Sequence, residues 1–374
     1  MPTLLPDPPL RLRGICLPDG RERDLFVVDG HLTERPTPDA ITLHEGGWVT
    51  PGLVDCHAHL TLASPAGDDA PTAERAAASA RAHLATGVLL IREPGSPDDA
   101  SRDVGHGDGL PGVVTAGRLM TPPGSYFPGV GWAVAEAELP SAAEGEARRS
   151  GGWAKVVGDW PRGGRMQPHY GGAALAEAAR RVHAAGGRIA VHATCAETID
   201  LALAAGFDSV EHGWGLAPRH VPIMRRQGTA LVPTLVMTAA LLADIDRFLR
   251  GIGMDAAGAA RTAADGERHA RAVSAAHRAG VRVLAGTDAG MVPHGVLRDE
   301  IRALRAAGLP PEAALAAGSW DARGWIGRPS LSEGAVADLV VYPADPRRDP
   351  AVLDRPLLML RAGRLVVPAA EPVA

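Results

Sequence analysis

The feature that most constrains the fold is a repeated switch of hydrophobic period. Apolar runs of strand length appear at PGLVDCHAHL, GVLLIREPG, PGVVTAG, WAKVVGDW, GRIAVHA, FDSVEHG, TALVPTL and VRVLAGTDAG. Between most of them lie Ala- and Arg-rich stretches with helical spacing, such as TAERAAASARAHLATG, GAALAEAARRVHAAGG and AAGAARTAADGERHARAVSAAHRAG. Glycine closes several of these stretches, as a residue just past a helix end should. Such alternation means parallel strands joined by crossover helices. Eight strand candidates fit an α/β fold of the (β/α)₈ TIM-barrel type. A doubly wound open sheet is the alternative, but no GxGxxG follows the first strand.

Both chain ends read differently. Residues 1–50 hold short strand-like runs, LRLRGI, DLFVVDGHL and AITLHEGGWVT, with a hairpin signal at Asp29-Gly30. Residues 330–374 are similar, with GAVADLVVY and LLMLRAGRLVV turning at Ala362-Gly363. The expected division is a small β-rich domain from residues 1–50 and 330–374, and a barrel over residues 51–329.

Composition narrows the function classes. With 46% hydrophobic and 22% charged residues among 374, the chain can build a large core. A net charge of −5 leaves no basic footprint for nucleic acid. Cys16, Cys56 and Cys195 make no disulfide framework, which suits a reducing compartment. No basic segment followed by an apolar one opens the chain, and no run of about 18 apolar residues occurs. The expectation is a cytoplasmic protein acting on a small molecule, without nucleic-acid or membrane partners; self-association is left open.

Polar residues at the ends of the apolar runs carry the chemistry. His57 and His59 are two apart in DCHAHL, so on a strand both side chains face one side and can chelate a divalent ion. Taken alone, the pair fits two ordinary polar strand residues equally well. His192 ends GRIAVH, His212 ends FDSVEH and Asp288 ends VRVLAGTD. Barrel enzymes place their chemistry at these strand ends. Asp288 alone would also serve as a helix cap; the histidines fit that role poorly.

Lys155 is the one lysine among 38 basic residues. A charged lysine inside an apolar strand is costly. A snorkelling lysine is the ordinary reading, yet arginine has replaced lysine at every other basic position. Unlike guanidinium, an amine loses its proton when buried. A neutral amine can add CO₂, and the resulting carbamate has two oxygens able to bridge two metals.

On TPGLVDCHAHL, AKVVGDW, VHATCAETIDLALAAGFDSVEHG, GTDAG and GAVADLVVY, the chain resembles the amidohydrolase superfamily. It is most similar to the branch of imidazolonepropionase-like and carboxylated-lysine, prolidase-like hydrolases. The resemblance implies a distorted (β/α)₈ barrel beside a small β-sandwich made from both chain ends. It implies two divalent metal ions, zinc by default. His57, His59 and Asp288 would hold one, His192 and His212 the other, with carbamylated Lys155 bridging. A metal-bridging hydroxide would attack the carbonyl, and Asp288 would carry its proton to the leaving group. The expected activity is hydrolysis of an amide C–N bond in a dipeptide, N-acyl amino acid or cyclic amide. Lactone or ester hydrolysis with the same metals is the alternative, and a metal-free binding or scaffold protein is the reading from another class.

Three departures bear on the substrate. Thr194 stands where relatives often carry His or Tyr, Arg92-Glu93 replaces Arg-Asp, and TPPGSYFPGVGW replaces a Gly-Gly-His segment. Tyr126, Trp160, His169, Thr194 and His294 are the candidate substrate contacts, each weighed against a packing role. Arg118 reads as a surface arginine, and Cys56 faces away from the pocket. His83, His183, His269 and His277 sit in helix-like stretches and read as partly exposed.

Overall fold

The computed structural model describes residues 8–104 and 109–366; the outermost residues of both expected domain ends fall outside it. Seven strands from the two ends form one sheet. Leu10–Cys16 pairs antiparallel with Arg21–Val28 and parallel with Ile41–Pro51. Leu339–Tyr342 then lies antiparallel along Ile41–Pro51, so the chain ends meet in the same sheet. Asp29 and Gly30 have φ of 48° and 77°, the left-handed pair that a tight two-residue hairpin requires. Leu12, Leu25, Val27, Val49, Leu339 and Val341 bury its inner face.

The middle of the chain is α/β. Leu53–Asp55, Val88–Glu93 and Gly112–Thr115 form a three-stranded parallel sheet. Met120–Thr121, Trp153–Val157, Arg188–Ala193, Ser209–His212 and Ala230–Val232 run parallel in a second sheet. Helices Thr72–Leu84, Leu139–Ser150, Gly172–Ala184, Ala196–Ala205 and Val221–Gln227 connect successive strands. Strands such as Trp153–Val157 are buried at every residue, as expected where helices cover a parallel sheet.

The two parallel sheets are joined by single bridges at both margins. Ser96 donates to the Gly117 carbonyl at 2.9 Å and accepts from Leu119 N at 3.1 Å. At the other margin the run VRVLAGTDAG exchanges bonds with Leu231, and its Ala285 carbonyl accepts from Cys56 N at 2.9 Å. This run is not a regular strand, contrary to the sequence expectation. It pairs on one side through Leu231 alone, then turns at Thr287, whose N–H and hydroxyl are taken by the Asp55 carboxylate.

His57 and His59 also lie beyond their strand, which ends at Asp55. Their segment stays extended because Ala58 bridges Ala289, with Asp288 N donating to the His57 carbonyl at 2.7 Å. Two helix histidines expected to be partly exposed are fully buried. His83 packs edge-on against His294, and His269 faces Thr238 on the inner side of the long helix Ala256–Arg278. Among the described residues no helix is long and apolar enough to cross a membrane.

Candidate metal centre

Sheet register brings the buried polar groups to one place. Val157 pairs with His192 and His192 with Glu211, so Lys155, His192 and Glu211 share one face of the second sheet. His212 follows Glu211 directly, and plain alternation would send it to the opposite face. Its φ of 63° breaks the alternation, and its ring lies 4.6 Å from that of His192. Asp288 (φ 58°) and Thr234 (φ 51°) are also left-handed non-glycine residues. Each such conformation costs on the order of 1–3 kcal/mol and persists where surrounding structure imposes it.

Three side chains converge most tightly. His57 Nδ1 donates to Glu211 Oε2 at 2.7 Å, and His59 Nδ1 donates to the Gly95 carbonyl at 2.7 Å. These outward bonds leave both Nε2 atoms as the lone-pair side of the ring. The two Nε2 atoms face one oxygen, Asp288 Oδ1, at 3.3 and 3.4 Å. Ligand atoms of all three residues lie within 4.8 Å of one another. Acceptors converging in this way suit a divalent cation with N/O ligands.

The remaining groups stand beside this triad. His192 Nε2 is buried without a hydrogen-bond partner, its nearest carboxylate oxygen being Asp159 Oδ1 at 3.6 Å. His212 Nδ1 contacts Thr234 Oγ1 at 3.0 Å and lies 4.0 Å from Asp288 Oδ2. Burial pushes His192 down to about 3 and His212 well below the usual imidazole range, so both rings are neutral and able to act as donors to a metal. Lys155 is 2% exposed, with no ion pair among the described residues. Burial, with Arg92 acting in the same direction, brings its amine down to about 8 against the pull of Glu211 and Asp288.

A set of carboxylates that the sequence reading did not single out as site residues holds these groups in place. Glu211 accepts from His57, from Arg92 at 2.9 Å and from Ser209 at 2.6 Å, all fully buried. The Arg92 guanidinium sits 4.7 Å from the Trp153 ring centroid. Asp55 accepts from His57 N and from Thr287, clamping the His57 and Asp288 segments together. Burial pushes it up to about 7 against those bonds. Glu93, the departure after the second apolar run, accepts from Leu60 N, Ser101 and Thr115, and so pins the chain just past His59. Asp159 holds Thr194 through its N–H and hydroxyl. A charged residue inside an otherwise apolar run, as in SVEH, is the signal that marks Glu211.

The five candidate substrate contacts divide. Tyr126, Trp160 and Thr194 line the same pocket as His192, His212 and Asp288. Tyr126 has φ of 74° and packs edge-on against Trp160, with ring centroids 4.8 Å apart. His169 is a loop staple: Nε2 donates to the Trp160 carbonyl at 3.0 Å, while Nδ1 lies near Ser125 and Arg162. His294 donates to the Leu62 carbonyl at 2.9 Å and contacts His83 at 3.3 Å. Arg118 bonds Glu146 and covers the Trp132 ring at 3.7 Å. Cys56 is fully buried among Val54, Leu90 and Ala116.

Comparisons with known proteins agree with this architecture. An uncharacterized protein of Mycobacterium tuberculosis (strain ATCC 25618 / H37Rv) is 40% identical over 370 residues, 96% of each chain. A Xaa-Pro dipeptidase structure with bound methionine superposes with a TM-score of 0.80 at 20% identity, covering 96% of this chain and 99% of the other. The structure of A. niger ochratoxinase superposes at 0.79 and 19% identity, covering 96% and 95%. The Amidohydrolase family model matches residues 48–366. On that match and the near full-length relative, the chain belongs to the amidohydrolase family.

Proposed function

We propose that the chain is a metal-dependent hydrolase of amide C–N bonds in small molecules, built on a distorted (β/α)₈ barrel over residues 51–329. In this reading residues 1–50 and 330–374 form a small β-sandwich beside it. The observation that carries the proposal is the placement of Lys155, buried with a lowered pKa, beside the His57, His59 and Asp288 triad. His57, His59 and Asp288 would hold one divalent ion, and His192 and His212 a second; zinc suits the donors. The neutral Lys155 amine would add CO₂ and release a proton, giving a carbamate with two oxygens that could serve as metal ligands.

Bound divalent ions supply hydroxide near neutral pH and polarise the scissile carbonyl. The protein's own groups do the rest. Asp288, held between His57 and His59, takes a proton from the attacking water and passes it to the leaving nitrogen. Glu211 and the Gly95 carbonyl keep both ligand rings in the orientation that presents Nε2. Tyr126 and Trp160 exclude water from the mouth of the site.

Structural neighbours that include a phenylurea hydrolase and molinate hydrolase are compatible with C–N bond chemistry. The test is metal analysis of protein purified without added metal, together with a screen of dipeptides, N-acyl amino acids, cyclic amides and lactones. Two metal equivalents and hydrolysis of at least one amide are expected, with loss on chelation and return on metal addition. Fewer than one tight equivalent together with no hydrolysis refutes the proposal; lactone hydrolysis without any amide hydrolysis replaces it.

A further inference from the structure

Aromatic residues are scarce in this chain, with 7 Trp, 4 Phe and 3 Tyr in 374 residues. Tyr126, Phe127, Trp160, Trp214 and Phe248 nevertheless line a pocket that includes His192, His212 and Asp288. Tyr126, Phe127 and Trp160 pack edge to face on one another, with centroids 4.8–5.0 Å apart, and form a rigid wall. More of the lining comes from helices Leu235–Leu242 and Ile245–Gly251, which present Met237, Leu241 and Leu249 as well as Phe248.

Charge is as informative as shape. Asp288 is the only Asp, Glu, Lys or Arg among the described residues lining this pocket. A substrate carboxylate bound against these walls would lose its hydration without gaining a cationic side chain. Arg165 and Arg261 stand in the neighbouring groove that shares Met166 and Thr194. Both are exposed there with Glu197 and Asp265 alongside, so their field is screened and offset.

Resting on the hydrolase reading above, we infer that the pocket takes a neutral, apolar and preferably aromatic group of the substrate. The substrate class is then uncharged amides, such as anilides and blocked aminoacyl amides. Free dipeptides and N-acyl amino acids, which carry a carboxylate close to the scissile bond, are disfavoured. Apolar walls reject such a charge while tolerating variation in the size of a neutral group.

The test uses matched pairs on the metal-loaded enzyme: N-acetyl-Leu-Phe against N-acetyl-Leu-Phe amide, and N-acetylleucine against N-acetylleucine anilide. The neutral member of each pair is expected to show a kcat/KM at least about tenfold higher. Phe248→Ala should raise KM for the anilide by about tenfold while leaving kcat within about twofold. Equal or faster hydrolysis of the carboxylate members overturns this inference and leaves the hydrolase reading standing. If neither member is hydrolysed, the metal analysis and wider screen decide the hydrolase reading, and tryptophan fluorescence decides the pocket chemistry on its own. Saturable quenching by the anilide that Phe248→Asp abolishes supports the inference, and no saturable quenching refutes it.

Discussion

The Glu211 carboxylate accepts the Nδ1–H of His57 at 2.7 Å, and both groups are almost completely removed from solvent. The second Glu211 oxygen is held by Arg92 at 2.9 Å. One buried anion thus orients the His57 ring and neutralises a buried cation. Arg92 and Lys155 favour its ionised form, and the His57 bond adds to them, so it lies well below the usual carboxylate range despite burial.

Glu211→Gln keeps the shape and removes the charge. Metal affinity should fall about 10- to 100-fold, the usual effect of losing an outer partner of a ligating histidine. Arg92 would be left as an unpaired buried cation, destabilising the fold by about 3–5 kcal/mol. Chelator competition and urea unfolding measure the two effects separately. Adding Arg92→Met should recover much of the stability while leaving metal affinity low. Recovery of both would mean that Glu211 acts on folding alone.

Asp288→Asn should abolish turnover while at least one metal stays bound. Asn tolerates the left-handed backbone that Asp288 adopts (φ 58°), so the loop should keep its course. His192 and His212 remain as donors, but the amide cannot accept and pass on a proton as a carboxylate does. Metal analysis of the variant alongside kcat decides it; near-normal turnover would remove Asp288 from proton transfer.

Lys155→Ala should lose most activity, with partial return on adding formate, acetate or another short carboxylate small enough to occupy the vacated space. Lys155→Arg should be inactive and not rescued, since guanidinium stays protonated and fills that space. In the native enzyme, ¹³C-labelled bicarbonate should produce a carbamate carbon resonance that the alanine variant lacks. Full activity of either variant would show that the lysine is not a ligand.

What could be read from the sequence follows a physical division. Period-two alternation and position at strand ends locate Lys155, His192 and Glu211 on one face, because register within a parallel sheet transmits that pattern directly. The strand–helix alternation is likewise local. His57 and His59 share a face for a different reason than expected: their segment is held straight by the Ala58–Ala289 bridge beyond the strand's end. Loop proximity suggests His169 and His294 as substrate contacts, but the His169 ring is engaged with the Trp160 carbonyl of its own hairpin and the His294 ring with the Leu62 carbonyl of the loop after His59. The pocket wall from Leu235–Leu242 and Ile245–Gly251 depends on how distant helices fold over the strands, which no local pattern encodes.

Gly286 tests how tightly the two ligand segments are packed. It opens GTDAG, two residues before Asp288. A Cβ added there would lie 2.5 Å from Val232 Cγ1, 2.7 Å from His57 Cβ and 2.9 Å from His57 N. The Val232 side chain could rotate, but the His57 backbone is fixed by the Asp55 carboxylate and by Asp288 N donating to its carbonyl. Gly286→Ala should therefore displace the His57 segment and cost about 1–3 kcal/mol in stability, the usual range for overpacking. Metal occupancy should fall along with stability, because His57 and Asp288 would no longer face each other at 3.3 Å. Thermal unfolding with and without added metal separates the two effects. In the wild-type protein, metal should raise the midpoint markedly by binding the folded state. In the variant that increment should shrink, and an undiminished increment would show that the segment yields without moving the ligands.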